Sequence, residues 1–216
     1  MIHLVGATKI YYSEGHPPHL VFLPTTVALP DDRRVAILGE RGLGKTTLLQ
    51  MISGIEAPTE GKVIVPLRVS PVINTKGWLL HPRMTGIENL SFIARVYGMD
   101  ANRLALAADA FAGIGHLLPM PLNTHEAAER RVIEFAVMAS LPFDCYLLDH
   151  MSVFEPELVE RFFAAAAARK AGVIFTTRSP RAVRQYADFV AVVADHTVRG
   201  FNAPAEAIDF YEREKA

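Results

Sequence analysis

The residues best suited to chemistry are Gly39-Glu40-Arg41-Gly42-Leu43-Gly44-Lys45-Thr46, which fit the pattern G-x-x-x-x-G-K-[ST] at every fixed position, with Thr47 directly after them. In that pattern the glycines let backbone N–H groups curl around the β- and γ-phosphates of a nucleotide, and a following helix adds the positive end of its dipole. Lys45 supplies a point charge, and the Thr46 hydroxyl is suited to ligating Mg²⁺. The other half of such a site is an apolar strand ending in an acid that orients the metal or its water shell. Cys145-Tyr146-Leu147-Leu148-Asp149 has that form. Together the two stretches predict a nucleoside triphosphate site with magnesium held by Thr46 and Asp149.

The elements around them have the required order. The loop lies between a strand-like run, Arg33 to Leu38, and a helical segment containing Leu48, Leu49 and Ile52. Further strand-like runs, Leu20 to Leu23, Lys62 to Val65, Phe143 to Leu148, Val173 to Thr177 and Phe189 to Ala194, alternate with segments of helical period, which predicts an α/β fold. The opening third is mostly strand and turn, with Gly15-His16-Pro17-Pro18-His19 as a bend in an antiparallel layer. His16 and His19 have a metal-like spacing, but no Cys or third His lies nearby, and they read as turn residues. From Pro82 to about Ala139 helices take over, marked by Ile87, Leu90, Ile93, Ala94 and Tyr97, then Leu104 to Phe111, then Val132, Ile133, Ala136 and Val137. A helix from Glu157 to Lys170 is expected to close at Gly172.

Composition narrows the function classes. Half of the 216 residues are apolar, enough for a sizeable core in one compact domain with a subdomain. Lys plus Arg number 22 against 23 Asp plus Glu, a formal charge of -1 with no like-charged block, so a nucleic-acid partner is not expected. The single cysteine, Cys145, lies in an apolar run and reads as a buried, inert thiol in a reducing compartment. The start, MIHLVGATKIYY, shows neither a basic opening nor a long apolar stretch, and no window reaches the ~18 consecutive apolar residues of a membrane helix. The expected location is cytoplasmic.

Over nearly its whole length the chain resembles the ATP-binding subunits of ABC transporters, specifically the short subfamily that energises export of capsular and O-antigen-type polysaccharides. The opening Met1-Ile2-His3-Leu4 through Ala7-Thr8-Lys9-Ile10-Tyr11 is similar to that subfamily's start, with Tyr11 where the family stacks an aromatic ring on adenine. Gly54-Ile55-Glu56-Ala57-Pro58-Thr59-Glu60-Gly61 resembles the connection after the phosphate-loop helix. His81-Pro82-Arg83-Met84-Thr85-Gly86-Ile87-Glu88-Asn89 resembles the passage into the helical subdomain, and its Thr-Gly-x-Glu-Asn string is the most specific to the polysaccharide-export branch. The resemblance implies an ABC-type nucleotide-binding domain of the P-loop NTPase fold over residues 1–216, with an antiparallel β layer, an α/β core and a helical subdomain at about 82–139. It implies ATP and Mg²⁺ as ligands, a transmembrane permease subunit as partner, a homodimer or heterodimer of nucleotide-binding domains, and a peripheral position at the inner face of the cell membrane. GTPase strings D-x-x-G and N-K-x-D are not present.

The departures from the family pattern fall on catalytic positions. After Asp149 the family places a glutamate that polarises the attacking water, and here the residue is His150. Loss of a general base typically costs ~10² to 10⁴ in rate, although an imidazole can itself take a proton. Where the family has a switch histidine, this chain reads Thr176-Thr177-Arg178-Ser179. Arg178 cannot shuttle a proton; it reads either as a phosphate clamp or as a surface arginine at a strand end. His125-Glu126-Ala127-Ala128-Glu129 replaces the Ser-Gly signature, and Asn123 with Glu126 reads as a capping box that closes the helix N-terminus with its own side chains. Pro156 falls at or beside the position of an Asp used in subunit communication. Two functional classes follow: an exporter subunit with weak or lost hydrolysis, or a non-hydrolysing, nucleotide-dependent scaffold of a polysaccharide export or synthesis complex.

Overall fold

The structure, a computed structural model, describes residues 1–73 and 80–215. In chain order the elements are β1 (Ile2–Tyr11), β2 (His19–Leu29), β3 (Arg34–Leu38), α1 (Lys45–Ile52), β4 (Glu60–Ile64), β5 (Val69–Ile73), α2 (Gly86–Val96), α3 (Ala101–Ala112) and α4 (Ala127–Ser140). They continue with β6 (Cys145–Leu148), α5 (Pro156–Ala168), β7 (Gly172–Thr177), α6 (Pro180–Tyr186), β8 (Phe189–Ala194), β9 (Thr197–Phe201) and α7 (Pro204–Lys215). This is the α/β architecture with an antiparallel layer that the sequence pattern predicts.

Two compact units divide the chain: Met1–Val72 with Phe143–Met151 and Ala167–Ala216, and Ile73–Pro142 with Ser152–Ala166. The first holds a three-stranded antiparallel sheet, β2-β1-β4, and a sheet of order β5-β6-β7-β3-β8-β9. Within the latter, β6, β7, β3 and β8 run parallel and β9 closes one edge antiparallel to β8. The parallel strands are buried along almost their whole length, which is why they read as continuous Val/Ile/Leu runs without alternation. Ile2, Leu4 and Phe22 of the antiparallel sheet, Leu48, Leu49 and Ile52 of α1, and Ile37, Leu147 and Ile174 of the larger sheet share one core. Full burial of each such side chain contributes about 1.5–3 kcal/mol, so α1 is held by both sheets. Cys145 belongs to this core with no exposed surface, and burial, helped by the charge of Asp31, pushes its thiol up to about 12.

The second unit is built on α2, α3, α4 and most of α5. Phe135 of α4 has no exposed surface; its ring stacks on Phe154 at 4.5 Å and meets Phe162 at 4.8 Å and Phe111 at 6.1 Å. The string Thr85-Gly86-Ile87-Glu88-Asn89 has a local physical role here. Thr85 Oγ1 accepts from the Glu88 N–H at 3.1 Å, and the Glu88 carboxylate accepts from the Thr85 N–H at 2.8 Å, a full capping box. The buried Asn89 amide accepts from the His81 N–H at 2.7 Å and reaches the carbonyl oxygens of His81, Met84 and Thr85. A Cβ on Gly86 would lie 2.7 Å from Leu118 Cδ2.

Several local expectations change. Helix α5 stops at Ala168 and not at Gly172. Lys170 takes the left-handed turn at φ 57, and Gly172 opens β7 because a Cβ there would lie 2.2 Å from the Asp31 carbonyl oxygen. Strands β5 and β9 and helices α6 and α7 add to the expected elements.

Candidate functional site

The phosphate loop connects β3 to α1. Gly44, the N-cap of α1, has φ 90, and a Cβ there would sit 2.4 Å from Val21 Cγ1 and 2.9 Å from Phe22 Cζ. Both the left-handed backbone and the lack of room require glycine. A Cβ on Gly39 would lie 2.8 Å from the Val193 carbonyl oxygen. Lys45 is buried, and its ammonium donates to the carbonyl oxygens of Gly39 at 2.7 Å and Glu40 at 2.6 Å, bracing the loop from inside. Burial lowers the Lys45 pKa and the Arg178 cation adds to that, while the charges of Asp149 and Glu40 oppose it. No acid lies in the first turn of α1, so the positive end of its dipole is uncompensated there. Arg41 and Gly42 are exposed, whereas Leu43 packs on the core and Thr47 is half-buried.

Asp149 is the hub of the site. It is 2 % exposed, accepts from the Thr46 hydroxyl at 2.7 Å on one oxygen and from the Thr176 hydroxyl at 2.6 Å on the other. Thr176 Oγ1 in turn accepts from the His150 N–H at 2.9 Å. This joins α1, the end of β6 and the end of β7 through one carboxylate. His150 takes the left-handed region at φ 55, with its side chain exposed and Nε2 3.7 Å from an Asp149 oxygen. A hard cation of magnesium type fits this donor set: a hydroxyl and a carboxylate oxygen already within hydrogen-bond distance, at the mouth of a glycine-lined cradle.

Tyr11 and Arg178 lie at or just beyond the ends of strands in the first unit. Tyr11 ends β1 and packs on the shared core, with Lys9 Nζ 4.7 Å from its ring centroid. That lysine is held by Glu56 at 2.7 Å and the Ala57 carbonyl oxygen at 2.9 Å, which fixes the ring's neighbour on β1. Arg178, exposed beyond the end of β7, acts electrostatically on both Glu40 and Lys45. Thr176, bonded to Asp149, and Tyr211, bonded to Glu40, are site neighbours that no sequence motif singles out. For Thr176 the usable signal was a hydroxyl at the end of a strand neighbouring the one that carries Asp149.

In the second unit, His125-Glu126-Ala127-Ala128-Glu129 opens α4, but the cap register differs from the expected Asn123/Glu126 box. Asn123 belongs to a short 3₁₀ turn, Leu122–Thr124, Glu126 is the N-cap, and the Glu129 carboxylate accepts from the Glu126 N–H at 2.9 Å. The buried His125 donates through Nε2 to the Leu117 carbonyl oxygen at 3.0 Å, and the Arg130 guanidinium donates to the His125 carbonyl oxygen at 2.6 Å. The stretch is therefore bonded within its own unit and carries carboxylates at a helix N-terminus.

A strand, a glycine-cradled loop, a helix start and an acid hydrogen-bonded to the loop's threonine define a P-loop nucleotide-binding domain. The family model described as ABC transporter matches residues 24–151, and the chain belongs to that family. It is 28 % identical over 223 residues to the polysialic acid transport ATP-binding protein KpsT of Escherichia coli, covering 99 % of this chain and 100 % of that protein. It is 27 % identical to the ATP-binding protein BexA of Haemophilus influenzae over 85 % of each chain. Against the capsule polysaccharide export ATP-binding protein CtrD of Neisseria meningitidis, it is 28 % identical over 82 % of this chain and 83 % of that one. Among solved structures, an ATP binding subunit of an ABC transporter superposes with TM-score 0.81 at 15 % identity, over 100 % of this chain and 95 % of that one. The ATP-binding cassette MJ0796 bound to ADP and Pi gives 0.77 at 20 % identity, over 94 % of this chain and 98 % of that one. At these identities the structural matches show the fold.

Proposed function

We propose that this chain is the ATP-binding subunit of an ABC exporter of capsular or related cell-surface polysaccharide, and that its own ATP hydrolysis is slow or lost. The first part is supported by similarity along the whole chain to ATP-binding proteins named for polysialic acid transport and capsule export. The second is supported by one arrangement: the residue after Asp149 is a left-handed, exposed His150 in place of a carboxylate. Tyr11 stacks the adenine, residues Gly39 to Thr47 cradle the phosphates, and Thr46 and Asp149 hold Mg²⁺. That ion supplies charge neutralisation at the phosphates. Lys45 adds a fixed positive charge, and Arg178 stands as a cation beside the loop without a proton to exchange. Turnover by the purified chain, alone and with co-purified membrane proteins, tests the reading. Vigorous hydrolysis by the chain alone overturns its second part, and failure to bind Mg-ATP overturns the whole.

The helical subdomain, at about 82–139, is the segment proposed to meet the permease. It exposes Ile87, Phe92 and Val96 of α2. Among the described residues no helix is long and apolar enough to cross a membrane; the partner in this reading is a transmembrane permease subunit met at the inner face of the membrane. A second reading, a nucleotide-dependent scaffold, is favoured by the carboxylates at the α4 N-terminus, which oppose an incoming phosphate from a paired nucleotide-binding domain.

A further inference from the structure

The second residue of the phosphate loop is an acid, and its charge is handled by the other end of the chain. The Glu40 carboxylate accepts a hydrogen bond from the Tyr211 hydroxyl and pairs with the Lys215 ammonium at 2.9 Å, both on α7. Tyr211 is 4 % exposed and is seated with Ala207 and Ile208, the buried stripe of α7. Its hydroxyl also lies 3.4 Å from the Arg178 carbonyl oxygen, at the end of β7. Glu40 is thus held at both ends, since its own carbonyl oxygen accepts from Lys45 at 2.6 Å. The Tyr211 hydrogen bond first, and Lys215 second, keep the Glu40 carboxyl below its usual range, so the group carries a full negative charge in a loop built to receive phosphates.

An unscreened carboxylate in an anion cradle repels a triphosphate, and a mobile one can reach into the cradle and take the backbone N–H groups the phosphates need. We propose that α7 is a clamp on the phosphate loop: Tyr211 orients the Glu40 carboxylate away from the cradle, Lys215 neutralises it, and nucleotide affinity depends on α7 being docked. Tyr211 and Lys215 are positioning residues, acting on nucleotide through Glu40. The same hydroxyl touches the backbone of Arg178, so undocking of α7 loosens the loop and the end of β7 together.

The proposal rests on the Mg-ATP site and is tested on the full chain by titration calorimetry. Tyr211→Phe and Lys215→Met are each expected to weaken Mg-ATP binding by about three- to tenfold, with the Lys215→Met loss growing at low salt. In a Glu40→Gln background, where the charge is gone, the same substitutions should change affinity by less than about twofold. Without nucleotide, Tyr211→Phe should speed amide hydrogen exchange across residues 204–215. Unchanged affinity in both variants, or equal losses with Glu40 and with Gln at position 40, overturns the clamp and leaves the site reading standing. Absence of Mg-ATP binding by the native chain overturns the site reading and the clamp with it.

Discussion

The hydroxyl of Thr46 donates to the carboxylate of Asp149 at 2.7 Å, tying the first turn of α1 to the end of β6. Asp149 is 2 % exposed, and a buried carboxyl group needs such hydrogen-bond partners to avoid a large desolvation cost. Thr176 provides the second one, so the Thr46–Asp149 pair is held in place by a residue from β7.

Thr176→Val should therefore destabilise the fold by about 1–3 kcal/mol, because it leaves one Asp149 oxygen buried without its donor. Thr176→Ser keeps the hydroxyl and should recover most of the loss. Urea denaturation of the three proteins checks this, and equal stability of the Val variant removes Thr176 from the hub.

Lys45→Ala should abolish Mg-ATP binding while leaving the protein folded, since the ammonium bonds only to the loop's own carbonyl oxygens among its described hydrogen-bond partners. Calorimetric titration with Mg-ATP, alongside a circular dichroism spectrum, is the measurement. Affinity equal to the native protein's would sink the phosphate-loop assignment.

Turnover of the unaltered chain should sit near background. Replacing His150 with Glu, together with a Ser-Gly signature in place of the His125–Glu129 stretch, should raise it by ~10² or more, the range for a restored general base. Position 150 has φ 55, a left-handed backbone that the native histidine and the new glutamate bear alike, so any earlier melting of the variant comes from losing the buried His125 bond to the Leu117 carbonyl oxygen. A phosphate-release assay on both proteins decides the matter.

Glu134 of α4 gives a pH signature. Burial raises its carboxyl from 4.5 to about 7, with the nearby Arg130 charge only partly opposing the shift. The folded state therefore binds its proton more tightly than the unfolded chain does. The stability this group contributes is complete below about pH 4.5 and is lost as pH rises through 7. Glu134→Gln should match the native protein at pH 4 and exceed it at pH 8, by roughly 1–3 kcal/mol. A native advantage at pH 8 would contradict the buried, proton-holding carboxyl.

Legibility in the sequence followed the strength of the local signal. The strands β3, β6, β7 and β8 are visible because burial on both faces writes unbroken apolar runs, and the phosphate loop because glycine is demanded at Gly39 by the nearby Val193 carbonyl oxygen and at Gly44 by its left-handed backbone against the Val21 and Phe22 side chains. Helix α7 is not, since its buried stripe is only Ala207, Ile208 and Tyr211 amid charged residues. The Thr85 to Asn89 string reads as a family mark, and its residue types are also demanded by a capping box, a tight approach to Leu118 and a buried amide. Thr176 and Tyr211 escaped motif reasoning because their partners lie 27 and 171 residues away, a pairing only the folded chain displays.

Cys145 offers a use outside the chemistry of the site. A solitary thiol with no exposed surface and a pKa pushed up to about 12 should be inert to alkylating reagents in the native protein and react once β6 leaves its neighbours. Labelling with a maleimide then becomes a stopwatch for opening of the strand that delivers Asp149. Slowing of that label by Mg-ATP would read out, in a single mass shift, how firmly ligand binding locks the sheet on which the site is built.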